Sequence, residues 1–155
     1  MELNDIRLIR EAILLLQRNL SWQWKSEAIC CGITVAQCHT LLEVGKSGEI
    51  AQVKLASILG IDSSTLSRTI DGMVQAGLVE RKAKPDDRRF SNIILAEQGK
   101  EIYERINLTS DHYYAEIFSG IPPEKHREVV ESITLLAEAI NNASSSECCV
   151  KELSK

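Results

Sequence analysis

The hydrophobic period of this chain changes at Leu78, and that change restricts the folds it can adopt. Up to this point apolar residues recur every three or four positions, which is typical of helices packed on one face. Residues 79–83 and 90–95 instead alternate as strands do, on either side of a segment, 84–88, that contains the turn-forming sequence Pro-Asp-Asp. From Glu97 the helical spacing returns. The sequence therefore predicts a mainly α-helical protein with a small β-hairpin.

Two short helices stand immediately before the hairpin. The first ends at Gly60, because glycine readily adopts the left-handed conformation that closes a helix. The second begins at Asp62, whose side-chain oxygens can cap exposed backbone amides. It is expected to turn four apolar side chains inward, namely Leu66, Ile70, Met73 and Val74. Two helices joined by a tight glycine-containing turn form a helix-turn-helix, and together with the hairpin they predict a winged helix.

Longer helices flank this unit on both sides. The first is predicted over residues 3–25, the second begins at a capping box formed by Thr34 and Gln37, and the last two cover about 97–118 and 122–140. Their apolar stripes exceed what a winged helix needs to cover, so we expect a homodimer. We assign residues 1–155 to a single domain, with a winged-helix lobe at about 47–96, dimerisation helices at 1–30 and 97–142, and a flexible tail at 143–155.

The outer face of the second short helix carries short polar side chains and one arginine. A helix of this kind fits the major groove of DNA, where such side chains reach the base edges. The expected contacts are Ser63, Ser64, Thr65, Ser67 and Arg68. Arg68 is the best candidate for reading a base, because its planar guanidinium can donate to both acceptors of guanine. The alternative is an ion pair between Arg68 and Asp71 or Asp62, which would withdraw this arginine from DNA.

Positive charge is concentrated in the hairpin. Residues 80–89 hold five basic and three acidic side chains and so carry +2, whereas the whole chain carries −4, which leaves −6 for the remainder. A basic hairpin beside a groove-reading helix can contact the flanking backbone or the minor groove. We expect these contacts from Lys84, Arg88 and Arg89. Taken alone, a charged hairpin is more often a solvated sheet edge, and the adjoining helix pair is what favours DNA.

Several segments of the winged-helix region resemble the MarR family of bacterial transcription regulators. They are Ala-Ser-Ile-Leu-Gly-Ile at 56–61, Ser-Thr-Leu-Ser-Arg at 64–68, Gly-Leu-Val-Glu-Arg at 77–81, Asp-Arg-Arg at 87–89, and Leu95. The resemblance spans about residues 53–99, and the order of the helices extends it over nearly the whole chain.

This resemblance implies a homodimeric transcription regulator, expected chiefly as a repressor, that binds a palindromic operator in double-stranded DNA. It implies that Ser64, Thr65 and Arg68 face the major groove. It also implies that Asp87 braces the wing while an arginine enters the minor groove, and either Arg88 or Arg89 can serve.

Five cysteines are present, and four of them are sequence neighbours, Cys30 with Cys31 and Cys148 with Cys149. Adjacent Cα atoms lie about 3.8 Å apart, which is shorter than the roughly 4.4–6.8 Å of a relaxed disulfide. These pairs are therefore expected as reduced thiols, which favours a cytoplasmic protein.

Cys30, Cys31 and Cys38 lie at or near the junction of the first two helices. In proteins of the MarR type this junction borders the cleft where effectors bind. Soft thiolates bind arsenic(III), Zn(II) or Cu(I), and a helix N-terminus favours thiolate formation. The sequence thus suggests a thiol sensor for a metal, a metalloid or an oxidant, with Cys148 and Cys149 as further ligands on a flexible tail.

Two alternatives to thiol sensing remain open. Cysteine also packs as a small hydrophobe, and Cys38 is placed to contact Ile33 in a hydrophobic staple. A small organic effector could instead occupy the same cleft against Trp22, Trp24 or Tyr113.

The sequence gives little reason to expect a membrane protein or an enzyme. The longest aliphatic run near the start, residues 13–16, is too short for a membrane span or for the core of a signal peptide, so no membrane partner is expected. No phosphate-binding loop, nucleophile elbow or Ser/His/Asp arrangement is readable by spacing, which argues against an enzyme. His39, His112 and His126 are scattered, and the last two are expected to face solvent.

Overall fold

The computed structural model describes the backbone of residues 3–84 and 87–144, and the side chains of residues 3–82 and 92–143. The predicted ligands Cys148 and Cys149, and the predicted flexible tail beyond Ser144, lie outside the described residues.

The described chain has the element order expected from the sequence, with one added strand. The helices are α1 (Leu3–Cys30), α2 (Val35–Ser47), α3 (Gln52–Leu59), α4 (Ser63–Gln75), α5 (Glu97–Ser119) and α6 (His126–Ser144). The strands are β1 (Glu49–Ala51), β2 (Val79–Lys84) and β3 (Asp87–Leu95), and a short 3-10 helix covers Pro123–Lys125. The predicted class, mainly α-helical with a small β-hairpin wing, is confirmed. The helix α1 continues past Lys25, so Cys30 is its last residue rather than part of a linker.

The helix ends follow from local chemistry. The backbone N–H of Thr34 donates to Gln37 Oε1 at 2.9 Å, and the N–H of Gln37 donates to Thr34 Oγ1 at 3.2 Å, which is the predicted capping box of α2. Gly60 closes α3 with φ of 63°, a left-handed conformation that costs glycine nothing. Asp62 caps α4, as its position before the helix indicated.

The strand β1 is the element that the sequence pattern does not predict. It pairs antiparallel with β3, so the three-stranded sheet has the order β1-β3-β2. Glu49 lies opposite Ile94, and the buried Ile50 lies opposite Ile93. Three residues are too few to display an alternating pattern, and pairing with β3 is what holds them extended.

The core is formed where α2, α3 and α4 pack with the sheet and the first half of α5. Its fully buried large side chains include Leu41, Leu55, Leu66, Ile70, Met73, Ile93 and Ile106. The prediction that Val74 faces inward is wrong, since this side chain is 39% exposed. The buried stripe of α4 follows Leu66, Ile70 and Met73, and Val74 is turned about 100° round the helix from Met73.

Gly99 allows α5 to begin directly against the backbone that precedes β2. A Cβ atom at this position would overlap the carbonyl oxygen of Leu78. The same oxygen accepts a hydrogen bond from the N–H of Ala96 at 3.1 Å. Only a residue without a side chain permits this approach, which fixes α5 against the winged-helix lobe.

The chain divides into two compact units at Thr109, inside α5. In the second unit His126 is half-buried, which corrects the expectation that it faces solvent. Its Nε2 atom lies 2.9 Å from the carbonyl oxygen of Phe118 and 2.8 Å from that of Ile121. Its ring also meets Phe118 edge to face at 5.1 Å, so His126 joins the end of α5 to the start of α6. His112 is exposed, as expected.

Among the described helices, none is by itself both long and apolar enough to cross a membrane. The pair α1 and α2 reaches the required length and composition only when taken together, and the two meet at an 87° bend.

Candidate nucleic-acid interface and thiol-lined cavity

The outward face of α4 carries the side chains that the sequence assigned to DNA. Ser63, Ser64 and Arg68 are exposed, and Thr65 and Ser67 are partly exposed. The opposite face is fixed by the buried residues Leu66, Ile70 and Met73. The structure therefore brings these polar side chains together on one accessible surface, with their roles toward DNA still a prediction.

Asp62 organises the first turn of α4. Its Oδ1 accepts from the Ser64 hydroxyl at 2.5 Å and from the Thr65 backbone N–H at 2.8 Å, while its Oδ2 accepts from the Thr65 hydroxyl at 2.6 Å. These hydrogen bonds, that of Ser64 first, lower the pKa of the Asp62 carboxyl well below its usual range. A fixed negative charge therefore occupies the N-terminus of α4.

Arg68 is not held by any ion pair or hydrogen bond to the residues that the structure describes. Both of its predicted competitors are engaged elsewhere, since Asp62 accepts from Ser64 and Thr65. Asp71 accepts from the Arg81 guanidinium at 2.6 Å. The alternative of an Arg68 ion pair is thereby disfavoured, and the guanidinium of Arg68 is available to a ligand.

Two basic side chains of the hairpin are tied to neighbouring elements. Arg81 on β2 pairs with Asp71 on α4, and Lys82 on β2 lies 3.0 Å from Glu49 Oε2 on β1. The Asn92 amide nitrogen donates to the other carboxylate oxygen of Glu49 at 2.6 Å. Glu49 thus joins all three strands, although it lies 33 and 43 positions from its partners and no sequence signal identified it.

The wing residues predicted to contact DNA lie at the far end of the hairpin. The side chains of Lys84, Asp87, Arg88 and Arg89 are outside the described residues. The backbone places 87–89 in β3, and the strand register shifts between Ala83 and Lys84. Their DNA contacts and the bracing role of Asp87 stay predictions.

Cys30 and Cys31 line a small cavity between the end of α1 and α5. Its volume is about 90 Å³, and its other lining residues are Gln23, Ser26, Glu27, Arg105, Ile106 and Thr109. The carboxyl group of Glu27 is almost completely buried and accepts from the Gln23 amide at 2.9 Å. The sequence pattern singled out neither Glu27 nor Arg105, because the two are far apart in the sequence and only the packing of α1 and α5 brings them to one cavity.

Cys38 does not belong to this cavity. It is fully buried in the core, with Ile33 packed against the same cluster. Burial raises the pKa of the Cys38 thiol to about 11, with smaller contributions from Glu27 and Cys31. The thiolate expected near the start of α2 is therefore wrong for Cys38, because desolvation outweighs the helix dipole.

The described residues contain no group of three or more His, Cys, Asp and Glu side chains arranged to hold a metal ion. None of the aromatic residues suggested for an organic effector is among the residues that line this cavity. Trp24 packs edge to face on His39 at 5.0 Å, Tyr113 does the same on Tyr114 at 5.3 Å, and Trp22 is 73% exposed.

A second cavity of about 430 Å³ lies between the end of α2, β3 and the first turns of α5. It is lined by Gly45, Gly48, Ile94, Leu95, Lys100, Tyr103 and Glu104. The ring of Tyr103 lies directly on Gly45, where a Cβ atom would overlap it. This volume falls within the range of about 300–1,000 Å³ typical of pockets for small organic ligands.

Comparison with known proteins gives a consistent result. A family model described as MarR family matches residues 33–90. The uncharacterized HTH-type transcriptional regulator YdgJ of Bacillus subtilis (strain 168) is 26% identical over 113 residues, which cover 73% of this chain and 69% of that protein.

Solved structures extend the similarity over most of the chain. A MarR transcriptional regulator from Methanosarcina mazei Go1 has 26% identity and a TM-score of 0.77, over 88% of this chain and 99% of that one. A mutant MarR from E. coli, solved in complex with operator DNA, has 23% identity and a TM-score of 0.70, over 90% of this chain and 99% of that one. At 23% identity, the similarity to the E. coli protein shows a shared fold and nothing more.

Proposed function

Since this chain belongs to the MarR family of DNA-binding transcription regulators, we propose that it represses transcription as a homodimer bound to a palindromic operator. Because the family is one of regulators and not of enzymes, the expectation that the chain is not an enzyme is confirmed. Such a regulator acts where the DNA is, in the cytoplasm.

The observation that carries this proposal is the exposed guanidinium of Arg68 on the polar face of α4, with which no side chain among residues 3–82 and 92–143 pairs. Asp71 and Asp62, the nearest acids in sequence, are both engaged by other groups in the described chain, so no intramolecular bond must be broken before Arg68 meets a base. A free arginine on a groove-sized helix can donate bidentately to guanine. The structure of the E. coli MarR mutant in complex with operator DNA supports the proposal that this fold binds an operator.

The proposed dimer rests on apolar side chains that one protomer leaves uncovered. In α1 only Glu27 and Ala28 are buried, and the exposed large apolar residues are Leu3, Ile6, Leu8, Ile9, Leu14, Leu15, Leu16, Trp22 and Ile29. In α6 the exposed apolar residues are Val130, Ile133, Leu135, Leu136 and Ile140. Patches of this kind mark interaction surfaces, which supports residues 1–30 and 97–142 as dimerisation helices. Two-fold symmetry would set two copies of α4 about 34–36 Å apart, one turn of B-form DNA.

The test is selection of binding sites from a pool of randomised duplexes, followed by quantitative binding at several salt concentrations. We expect an inverted repeat to be enriched, and Arg68→Ala to lose about 1–3 kcal/mol on that site with relaxed preference at one base. Lys46→Ala, which removes an exposed cation at the end of α2, outside the dimerisation helices and the predicted DNA contacts, is the control and should bind as wild type. Sedimentation should give a dimer. A monomer, or equal binding to all duplexes, would refute the proposal.

We further propose that thiol chemistry at Cys30 and Cys31 releases the operator. The cavity that they line holds about 90 Å³, room for an ion or a few atoms and too little for an aromatic molecule. Two adjacent thiols suit arsenic(III), and Zn(II) or Cu(I) would need further ligands, for which Cys148 and Cys149 are available in the chain. Cys38 is excluded from this role by its burial.

Titration of arsenic(III), Zn(II), Cu(I) and an oxidant into the protein–operator complex tests the thiol proposal. Release by one of them in wild type should disappear in Cys30→Ser/Cys31→Ser and persist in Cys38→Ala. A separate Cys148→Ser/Cys149→Ser variant determines whether the tail contributes ligands. If the Cys30→Ser/Cys31→Ser protein responds as wild type does, the junction thiols are not the sensor.

A small organic effector is the second candidate, and the cavity of about 430 Å³ is the observation that favours it. Ile94, Leu95 and the Tyr103 ring suit a planar apolar molecule. Lys100 also lines the cavity, and an acidic group there would compete with its exposed ion pair to Glu97 at 3.1 Å. Tyr103→Ala should abolish release by such a compound without changing the response to arsenic(III).

A further inference from the structure

The first turn of α4 contains two hydroxyl groups whose hydrogens are already in use. The Ser64 hydroxyl donates to Asp62 Oδ1 at 2.5 Å, and the Thr65 hydroxyl donates to Asp62 Oδ2 at 2.6 Å. The backbone N–H of Thr65 also donates to Asp62 Oδ1, at 2.8 Å. A hydroxyl has one hydrogen to donate and two lone pairs that accept. In this arrangement Ser64 and Thr65 keep only their lone pairs for a ligand.

The direction of these hydrogen bonds is fixed by the charge of Asp62. An ionised carboxylate can only accept, so neither hydroxyl can reverse its bond and turn its hydrogen outward while keeping this partner. The same bonds keep the carboxyl group ionised by lowering its pKa far below neutral pH. The polarity of the surface formed by Ser64 and Thr65 is therefore set by a residue that precedes the helix.

Arg68 presents the opposite polarity on the same face of the helix. It follows Ser64 by four positions and Thr65 by three, which places the three side chains side by side on α4. The guanidinium has donors and no acceptor. The face of α4 thus consists of an acceptor region at its first turn and a donor region one turn later.

We propose that Ser64 and Thr65 read the operator as hydrogen-bond acceptors, so that the bases opposite them are adenine or cytosine, with Asp62 as the positioning residue that sets this polarity. In the major groove only the N6 amino group of adenine and the N4 amino group of cytosine donate hydrogen bonds. Guanine and thymine present acceptors at the same edge and would face lone pairs. This inference rests on the proposed function, and it concerns which bases each part of α4 selects.

The first experiment uses the operator that wild type selects from the random pool. Adenine or cytosine at each position is replaced by an analogue that lacks the exocyclic amino group. At the positions read by Ser64 and Thr65 this change should weaken wild-type binding about fivefold, the effect of one hydrogen bond. Ser64→Ala or Thr65→Val should bind the normal and the analogue duplex equally at its own position. Thr65→Ser, which keeps the hydroxyl, should respond as wild type does.

The second experiment changes the polarity while keeping the cap. Asparagine caps helices about as well as aspartate, but its amide offers one oxygen acceptor and a nitrogen that donates. In Asp62→Asn one hydroxyl is therefore free to donate. We expect this variant to remain folded and dimeric and to accept guanine or thymine at a position where wild type requires adenine or cytosine.

The outcomes separate this inference from the proposed function. If wild type selects no sequence, the proposed function fails and the inference fails with it. If wild type selects an operator but removal of the amino groups of adenine and cytosine, on either strand, does not weaken binding at the base pairs sensitive to Ser64→Ala and Thr65→Val, the inference alone is overturned. It is also overturned if Asp62→Asn keeps an unchanged base preference, or if neither hydroxyl affects discrimination.

Discussion

The guanidinium of Arg81 lies 2.6 Å from the carboxylate of Asp71, and this contact joins the first strand of the wing to the helix that carries Arg68. Both side chains are partly accessible, at 34% for Arg81 and 52% for Asp71. The pair holds one of the hairpin's cations against α4 and so keeps it from acting as a free charge toward DNA. At the same time it leaves Arg68, three residues before Asp71, without that acid as a partner.

Loss of Asp71 should change DNA binding more than stability. An exposed ion pair contributes about 0–1 kcal/mol, so Asp71→Ala should unfold in urea within that range of wild type. Release of Arg81 adds a cation beside the groove and removes an anion, so affinity for random duplex should rise. The slope of log K against log salt should steepen by about 1. Arg81→Ala is the control and should not steepen it, and an unchanged slope in Asp71→Ala would contradict the expectation.

Two glycine-to-alanine substitutions should have opposite effects on stability. In Gly99→Ala the new Cβ would overlap the Leu78 carbonyl oxygen, which is backbone and cannot move aside cheaply, so we expect destabilisation by about 1–3 kcal/mol or more. In Gly72→Ala, within α4, the new Cβ meets no atom within 4 Å. There alanine should stabilise the helix by about 0.5–1 kcal/mol. Urea unfolding of the two variants measures both, and equal effects would show that the contact at Leu78 is relieved.

The stability contributed by Asp62 should depend on pH in the acidic range. Its pKa is lowered in the folded protein by hydrogen bonds from Ser64 and Thr65, so the stabilisation is fully present above the unfolded pKa of about 3.9. It is lost as pH falls below that value toward the folded pKa. The gap in unfolding free energy between wild type and Asp62→Ala should therefore be largest above about pH 4 and shrink below it. Asp62→Asn, which caps without titrating, is the comparison, and a gap independent of pH would argue against this account.

The three described thiols should react in the order of their exposure. Cys30 is exposed, Cys31 is intermediate and Cys38 is buried, so iodoacetamide at neutral pH should label Cys30 first and Cys38 only on unfolding. Peptide-resolved mass spectrometry separates these cysteines from Cys148 and Cys149, and early labelling of Cys38 would contradict its burial.

The pKa of Cys38 is raised from 9.0 to about 11, so its thiol is neutral at lower pH in both the folded and the unfolded state. Between pH 9.0 and about 11 the unfolded state loses this proton while the folded state keeps it, so the free energy of unfolding should fall over that range.

The elements that depend on neighbouring residues could be predicted from the sequence alone. The capping box of Thr34 and Gln37, the left-handed stop at Gly60 and the Asp62 cap each involve residues no more than four positions apart. The hairpin and the winged-helix order follow from the change in hydrophobic period, because a strand and a helix expose different repeats of apolar side chains. The polar face of α4, with Arg68 on it, follows from the same periodicity.

Contacts between distant segments were decided only by the tertiary structure. β1 exists because β3 pairs with it, and Glu49 meets Lys82 and Asn92 through that pairing. Which of the two arginines, Arg68 or Arg81, forms an ion pair with Asp71 depends on the path of β2 beside α4. Cys38 is a neutral core thiol and Cys30 lines a cavity with Arg105 because of how α1, α2 and α5 pack. A one-dimensional pattern records which residue types recur along the chain, whereas burial and charge pairing depend on which segments meet in space, and folding alone determines that.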